Sequence, residues 1–135
     1  MFMNKSGDDM QLTIKTKQPR EVIDITDQVQ SLVNPEAKAL VIYAMHTTCG
    51  VTTAEYEDEL NQDLLDFLEA AIPKGIKWRH AHDPSQSPWH SLSAIFGSNI
   101  TVPVHDGKMV LGTWQRVVLV ELDGPRDRKV EVTNL

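Results

Sequence analysis

The chain has 135 residues, 41% hydrophobic and 24% charged, proportions that suit one globular domain able to bury its own core. Thirteen basic against 19 acidic residues give a net charge of −6, which excludes general binding to nucleic acid or anionic membranes, since both need a positive field. Cys49 is the only cysteine, so an internal disulfide is excluded and a cytoplasmic setting is expected.

Residues 1–9 lack the apolar stretch of a secretory signal, and no window reaches the length needed to span a bilayer. Residues 1–10 are expected as a flexible N-terminus ahead of a single domain over 11–135. Alternating polar and apolar residues over 11–17 predict a half-buried strand, followed by a Gln18-Pro19 turn and a short strand over 21–24. Thr26 is placed to cap a helix over 27–33, with Val29, Leu32 and Val33 on one face, ended by Asn34-Pro35. The continuous apolar run 39–45 reads as a central strand covered on both faces.

Residues 56–72 give the clearest helix. Leu60, Leu64, Leu65, Leu68 and Ile72 form its apolar stripe, and Pro73 with Gly75 ends it. A second helix is expected from Ser87 as cap, through Pro88 in the first turn, to Gly97 past the end. Strands follow over 100–104, 109–111 and 117–121, the first two joined by an Asp106-Gly107 hairpin turn. A turn at Asp123-Gly124-Pro125 precedes a last strand over 129–133. The pattern predicts an α+β domain with a largely antiparallel or mixed, sandwich-like sheet and two main helices.

All five histidines fall between positions 46 and 105, and imidazole is both a common metal ligand and the usual proton carrier near neutral pH. His46-Thr47-Thr48-Cys49-Gly50 leaves a strand through small hydroxyl residues, so its backbone N–H groups are approachable by an oxyanion; a tight corner of β-prone threonines explains it equally. The acidic run Glu55, Glu57, Asp58 and Glu59 suits the start of a helix. Of these, Glu55 lies at the edge of the corner. His80 and His82 fall on one side of an extended segment, and His90 lies in the first turn of a helix, whose dipole favours the neutral ring. This spacing matches no standard zinc motif. His105 beside its hairpin turn reads as an exposed residue, and Cys49 as a small, inert, buried thiol.

Gln115, Val117, Leu119 and Glu121 share one face of a strand, polar at both ends, which suits either a pocket mouth or an edge of solvent exposure. Arg126 and Arg128 follow the 123–125 turn. Guanidinium groups suit diphosphate recognition, and salt bridges to Asp123 and Asp127 are the structural alternative.

The block Ser98-Asn-Ile-Thr-Val-Pro-Val-His-Asp-Gly-Lys-Met-Val-Leu-Gly-Thr-Trp-Gln115, followed by Val117-Val-Leu-Val-Glu-Leu-Asp-Gly-Pro-Arg126, resembles the YjbQ-like family. The likeness extends through His46-Thr47-Thr48, the Glu55 position, Trp78-Arg79-His80 and Trp89-His90, and so covers nearly the whole chain. Two stretches depart from the family pattern. Residues 81–88 replace an Asp/Asn-rich loop, and residues 54–59 replace a more Asn-containing one, which leaves the metal or phosphate contacts of those loops open.

The resemblance implies a homotrimer with sites near subunit boundaries. It also implies a secondary thiamine-phosphate synthase activity, in which hydroxymethylpyrimidine diphosphate is coupled to thiazole phosphate with release of pyrophosphate. On that reading Thr47, Thr48, Thr113 and Arg126 contact diphosphate, and Gln115 holds a pyrimidine edge. His46, His80 and His90 bind metal or donate protons, with Glu55 and Glu121 orienting them. The cofactor is then a divalent metal, Mg2+ with the diphosphate or a histidine-bound ion such as Zn2+. The alternative is a trimeric metal- or phosphometabolite-binding protein without significant turnover.

Overall fold

Period-two burial at both ends of the chain brings its first and last long strands together in one sheet. The computed structural model describes residues 2–3 by their backbone and residues 9–135 in full. Its strands are β1 (Phe2–Met3), β2 (Asp9–Lys15), β3 (Glu21–Asp24), β4 (Ala39–Ala44), β5 (Cys49–Ala54), β6 (Asn99–His105), β7 (Lys108–Met109), β8 (Arg116–Glu121) and β9 (Asp127–Asn134). Its helices are α1 (Thr26–Gln30), α2 (Asp58–Ala70) and α3 (Ser87–Phe96). One sheet runs β1-β2-β9-β4-β6-β7, the other β3-β8-β5, and every pairing is antiparallel. The α+β, antiparallel expectation therefore holds.

Of the expected flexible tail, residues 9 and 10 belong to β2, opposite Thr133 and Val132. The backbone of 2–3 pairs with Gln11 and Met10, and residues 1 and 4–8 lie outside the described residues.

Three layers result. Leu12, Ile14, Leu40, Ile42, Val130 and Val132 of the large sheet pack on Val51, Val117 and Leu119 of the small one. On its far side the small sheet presents Val118 and Val120 to Leu64, Leu65 and Leu68 of α2 and to Trp89, Leu92 and Phe96 of α3. The strand covered on both faces is thus β8, where every residue from Val117 to Glu121 is buried. The run 39–45, expected in that role, forms β4 at the centre of the large sheet but buries only alternate residues, leaving Tyr43 exposed. An apolar run shows that a strand is central; it does not show how many layers cover it.

Helix boundaries shift for local reasons. Thr26 does not cap α1, because its hydroxyl is drawn into the core, where it accepts the Val117 N–H at 2.8 Å. Asp24 instead accepts the Thr26 N–H at 3.0 Å. Ser87 is inside α3: a 3-10 turn over Pro84–Gln86 precedes it, and Asp83 accepts the Ser85 N–H at 3.0 Å. Gly97, at φ 101°, ends α3 as expected, and Asp106 (φ 50°) with Gly107 (φ 76°) makes the expected hairpin turn. Among the described residues no helix is long and apolar enough to cross a membrane.

Gly50 decides how closely α3 approaches β5. A Cβ there would stand 2.5 Å from Phe96 Cδ1 and 2.7 Å from the Gly97 carbonyl. The seat is fastened by Ser93 Oγ donating to the Cys49 carbonyl at 2.7 Å and by Val51 N–H donating to the Gly97 carbonyl at 3.2 Å.

Candidate functional site

A cleft of about 500 Å³ opens where β4 gives way to the 46–48 corner. His46 and Thr47 line one side; His90, Ser93, Ala94, Gly97, Ser98 and Asn99, along α3 and its exit, line the other. Among the described residues no carboxylate lines it. His80, from the loop after α2, meets His90 edge-to-face, with ring centroids 5.0 Å apart and an interplanar angle of 78°. The fold therefore gathers His46 and His90 at one cleft, with His80 held edge-to-face against His90. His82 is exposed, as is His105, which lies 3.4 Å from Asp106.

His46 is held by the backbone. Its Nε2 accepts the Lys129 N–H at 2.8 Å. Burial, aided by the charge of Arg128, Arg126 and Lys129 and opposed by Glu121, lowers the pKa of the imidazole below its ordinary value. The ring is thus neutral at pH 7, with its proton on Nδ1. That arrangement does not fit a metal bound by His46, His80 and His90. One His46 nitrogen already accepts a hydrogen bond and the other carries the proton, so neither offers a lone pair to a cation. Among the described residues no three His, Cys, Asp or Glu side chains are grouped to hold a metal ion.

Beneath the corner lies a polar network that closes one end of the space between the sheets. Arg128 of β9 reaches Glu121 of β8 with Nε at 2.8 and 3.1 Å from the two carboxylate oxygens. Its Nη2 donates to the Thr48 carbonyl at 3.0 Å and to the Thr48 hydroxyl at 2.9 Å. Thr16 Oγ1 donates to Glu121 at 2.7 Å, and the Leu122 and Asp123 N–H groups donate to the same carboxylate. Burial alone would raise the Glu121 pKa; the bonds from Arg128 and Thr16 outweigh it, so the net shift is downward. Glu121 is fully buried, and its carboxylate serves Arg128, Thr16 and the Leu122 and Asp123 amides rather than orienting a histidine. Thr48, also buried, spends its hydroxyl on Arg128. Burial raises the Cys49 thiol to about 11, leaving an inert group.

The other candidate residues divide along the β5·β8 ladder. Cys49 pairs with Glu121 at one end and Ala54 with Arg116 at the other, so Glu55, Thr113 and Gln115 sit roughly 20 Å from the 46–48 corner at ordinary strand rise. Gln115 Oε1 accepts the Gly112 N–H at 2.7 Å and its Nε2 donates to Thr53 Oγ1 at 3.3 Å, which stabilises the 112–115 turn. Glu55 and Thr113 are exposed. Arg126 pairs with Asp123 at 2.9 Å while remaining half-exposed near the corner; Arg128, for which a surface partner was the alternative, pairs inward with Glu121. Ser98 and Asn99 open the 98–115 block that carries the family resemblance, but the sequence reading assigned neither a role; they stand just past the glycine that ends α3.

Comparisons with known proteins agree with this architecture. The family profile described as UPF0047 protein YjbQ-like matches residues 10–135. A UPF0047 protein of Archaeoglobus fulgidus is 40% identical over 126 residues, covering 93% of this chain and 100% of that protein. The UPF0047 protein YugU of Bacillus subtilis is 35% identical, covering 87% and 91%. A crystal structure of a hypothetical protein from Aeropyrum pernix superposes with a TM-score of 0.87 at 34% identity, covering 95% of this chain and 98% of that one. A YbjQ-like protein of unknown function from Sulfolobus solfataricus gives 0.85 at 31% identity, covering 92% and 93%.

Proposed function

The chain belongs to the UPF0047, YjbQ-like family, and from that premise we propose that it binds a phosphorylated small molecule in the His46–His90 cleft and acts as a thiamine-phosphate synthase-like transferase. The observation that carries this reading is the shared cleft of about 500 Å³ with a neutral, donor-bearing His46 on its wall. Arg126, Arg128 and Lys129 lie near enough to His46 to lower its pKa, opposed by Glu121, and the C-terminal end of α3 at Gly97 offers partial negative charge. Phosphoryl oxygens then belong at the His46 end and an electron-poor heterocycle at the α3 end.

In the proposed reaction the bond between the pyrimidine's exocyclic carbon and diphosphate oxygen breaks, the thiazole nitrogen forms the new bond to that carbon, and pyrophosphate departs with the electron pair. Such a displacement chiefly requires stabilising the leaving group's charge. His46 Nδ1–H and the Thr47 hydroxyl donate to its oxygens, and Arg126 adds positive field. A divalent cation accompanying the diphosphate supplies further charge neutralisation when bound. Incubation of purified protein with both substrates and Mg2+ tests the proposal. Thiamine phosphate is expected, and its absence beside an authentic synthase overturns the reading.

A homotrimer is part of the same proposal. It is supported by large apolar side chains left in solvent, among them Ile95 (82% exposed) and Trp114 (71% exposed). Assembly would also let Thr113 and Gln115 of a neighbouring copy approach a cleft that they do not reach within one chain. Light scattering on the eluted protein checks it, a monomeric mass being the contrary result. A cytoplasmic setting belongs here too, supported by the single unpaired thiol of Cys49.

The same neutral, donor-bearing His46 on the cleft wall also supports a second reading, a phosphometabolite-binding protein with negligible turnover. Tight calorimetric binding of a phosphorylated compound without product formation would select it over the transferase.

A further inference from the structure

In an antiparallel ladder, a hydrogen-bonded pair of residues exchanges two backbone bonds. β4 and β9 keep register as far as Ala44 opposite Val130, and the next position is Met45 opposite Lys129. There the Met45 N–H still donates to the Lys129 carbonyl, at 3.2 Å. The reciprocal Lys129 N–H, which an unbroken ladder would direct to the Met45 carbonyl, goes to His46 Nε2 at 2.8 Å. The imidazole thus completes the ladder at the point where the chain turns away. A ring nitrogen that accepts is unprotonated, so the neutral ring carries its hydrogen on Nδ1.

Both sides of that contact are held by one guanidinium. Arg128 precedes Lys129 in β9, and its Nη2 grips the carbonyl and hydroxyl of Thr48, two residues beyond His46. Glu121 fixes Arg128 through both carboxylate oxygens, and Thr16 fixes Glu121 in turn. Arg128 has 2% of its side chain exposed and Glu121 none, so neither touches a ligand in the cleft.

We infer that Glu121 and Arg128 are positioning residues that act through the β9 backbone and the Thr48 corner to lock His46 as its Nδ1–H tautomer. His46 is thereby a hydrogen-bond donor to an oxyanion in the cleft, rather than a general base or a metal ligand. Naming that oxyanion as phosphoryl rests on the function proposed above; the tautomer and its dependence on Glu121 and Arg128 do not.

The test is long-range 1H–15N spectroscopy of the full chain labelled at histidine nitrogens, without ligand, at pH 7.5, with the His46 signals identified by their loss in His46→Asn. The parent is expected to show the Nδ1–H pattern at His46. Thr48→Val, which removes the hydroxyl that Arg128 holds, should shift the tautomer ratio toward Nε2–H, and Thr48→Ser should restore it. Glu121→Gln should shift it by about tenfold, the equivalent of one net hydrogen bond. Exposed His105 should not respond. An Nε2–H or protonated His46 in the parent overturns the inference, as does a folded Thr48→Val or Glu121→Gln protein with the parent ratio. Should Glu121→Gln not fold, the Thr48→Val and Thr48→Ser pair decides. Because no ligand is present, a negative result here leaves the transferase assay to judge the proposed function separately.

Discussion

Arg128 and Glu121 meet between the two sheets, Nε to Oε1 at 2.8 Å, with essentially no solvent contact for either side chain. Such a pair offsets its large desolvation cost only while both partners and their hydrogen bonds remain. Arg128→Met should therefore cost about 3–5 kcal/mol by stranding a buried carboxylate. The double substitution Arg128→Met, Glu121→Leu should cost clearly less than the sum of the two single changes. Urea denaturation of the four proteins measures this, and additive losses would contradict it.

The same pair sets an acid dependence. The Glu121 pKa is lowered in the folded protein, so its contribution is complete above the ordinary glutamate value of about 4.3 and is lost as pH falls through the lower folded value. The stability difference between parent and Glu121→Gln should be constant from neutral pH to about 5 and shrink below about 4.3. Thermal unfolding across that range checks the sign; a difference growing on acidification would contradict it.

His46 titrates in the other direction of charge. Its pKa is lowered by burial and by Arg128. Above its ordinary value of about 6.5 both folded and unfolded chains hold it neutral; below that value the unfolded chain takes up a proton that the folded chain resists. The parent should lose stability relative to His46→Asn as pH falls from about 6.5 toward the lower folded value. Paired unfolding curves at several pH values measure it.

Gly50 should tolerate no side chain. A Cβ there meets the Phe96 ring and, at 2.7 Å, the Gly97 backbone carbonyl, and backbone cannot rotate away. Gly50→Ala should destabilise by about 1–3 kcal/mol, as overpacking does, and should displace α3 enough to change the His80–His90 ring contact. Denaturation and the histidine spectra report both effects.

Cys49 should be silent toward thiol reagents in the native state. Its thiol is buried and raised to about 11, so the reactive thiolate is scarce at pH 8. Ellman's reagent should label it only on unfolding. Prompt native-state reaction would contradict this burial.

How much of the molecule was legible beforehand follows from which interactions are local. Period-two alternation located most strands, Asp106-Gly107 located the hairpin, and Gly97 located the end of α3, because each depends on neighbouring residues alone. Clustered histidines pointed to the cleft, and two of them do line it. Capping failed as a guide at Thr26 and Ser87. In the first case a core amide 91 residues away took the hydroxyl; in the second a local turn began earlier.

The α+β class, the antiparallel strands, the inert thiol and the family can all be read from the residues in order, since patterning and signature residues carry that information without coordinates. Folding in three dimensions was needed to make β8 rather than β4 the doubly covered strand, to give Glu121 to Arg128, and to set Glu55, Thr113 and Gln115 at the far end from His46. Those outcomes depend on which strands become neighbours and in what register. Pairings between residues 80 or more positions apart, such as Arg128 with Thr48, leave no periodic trace along the chain.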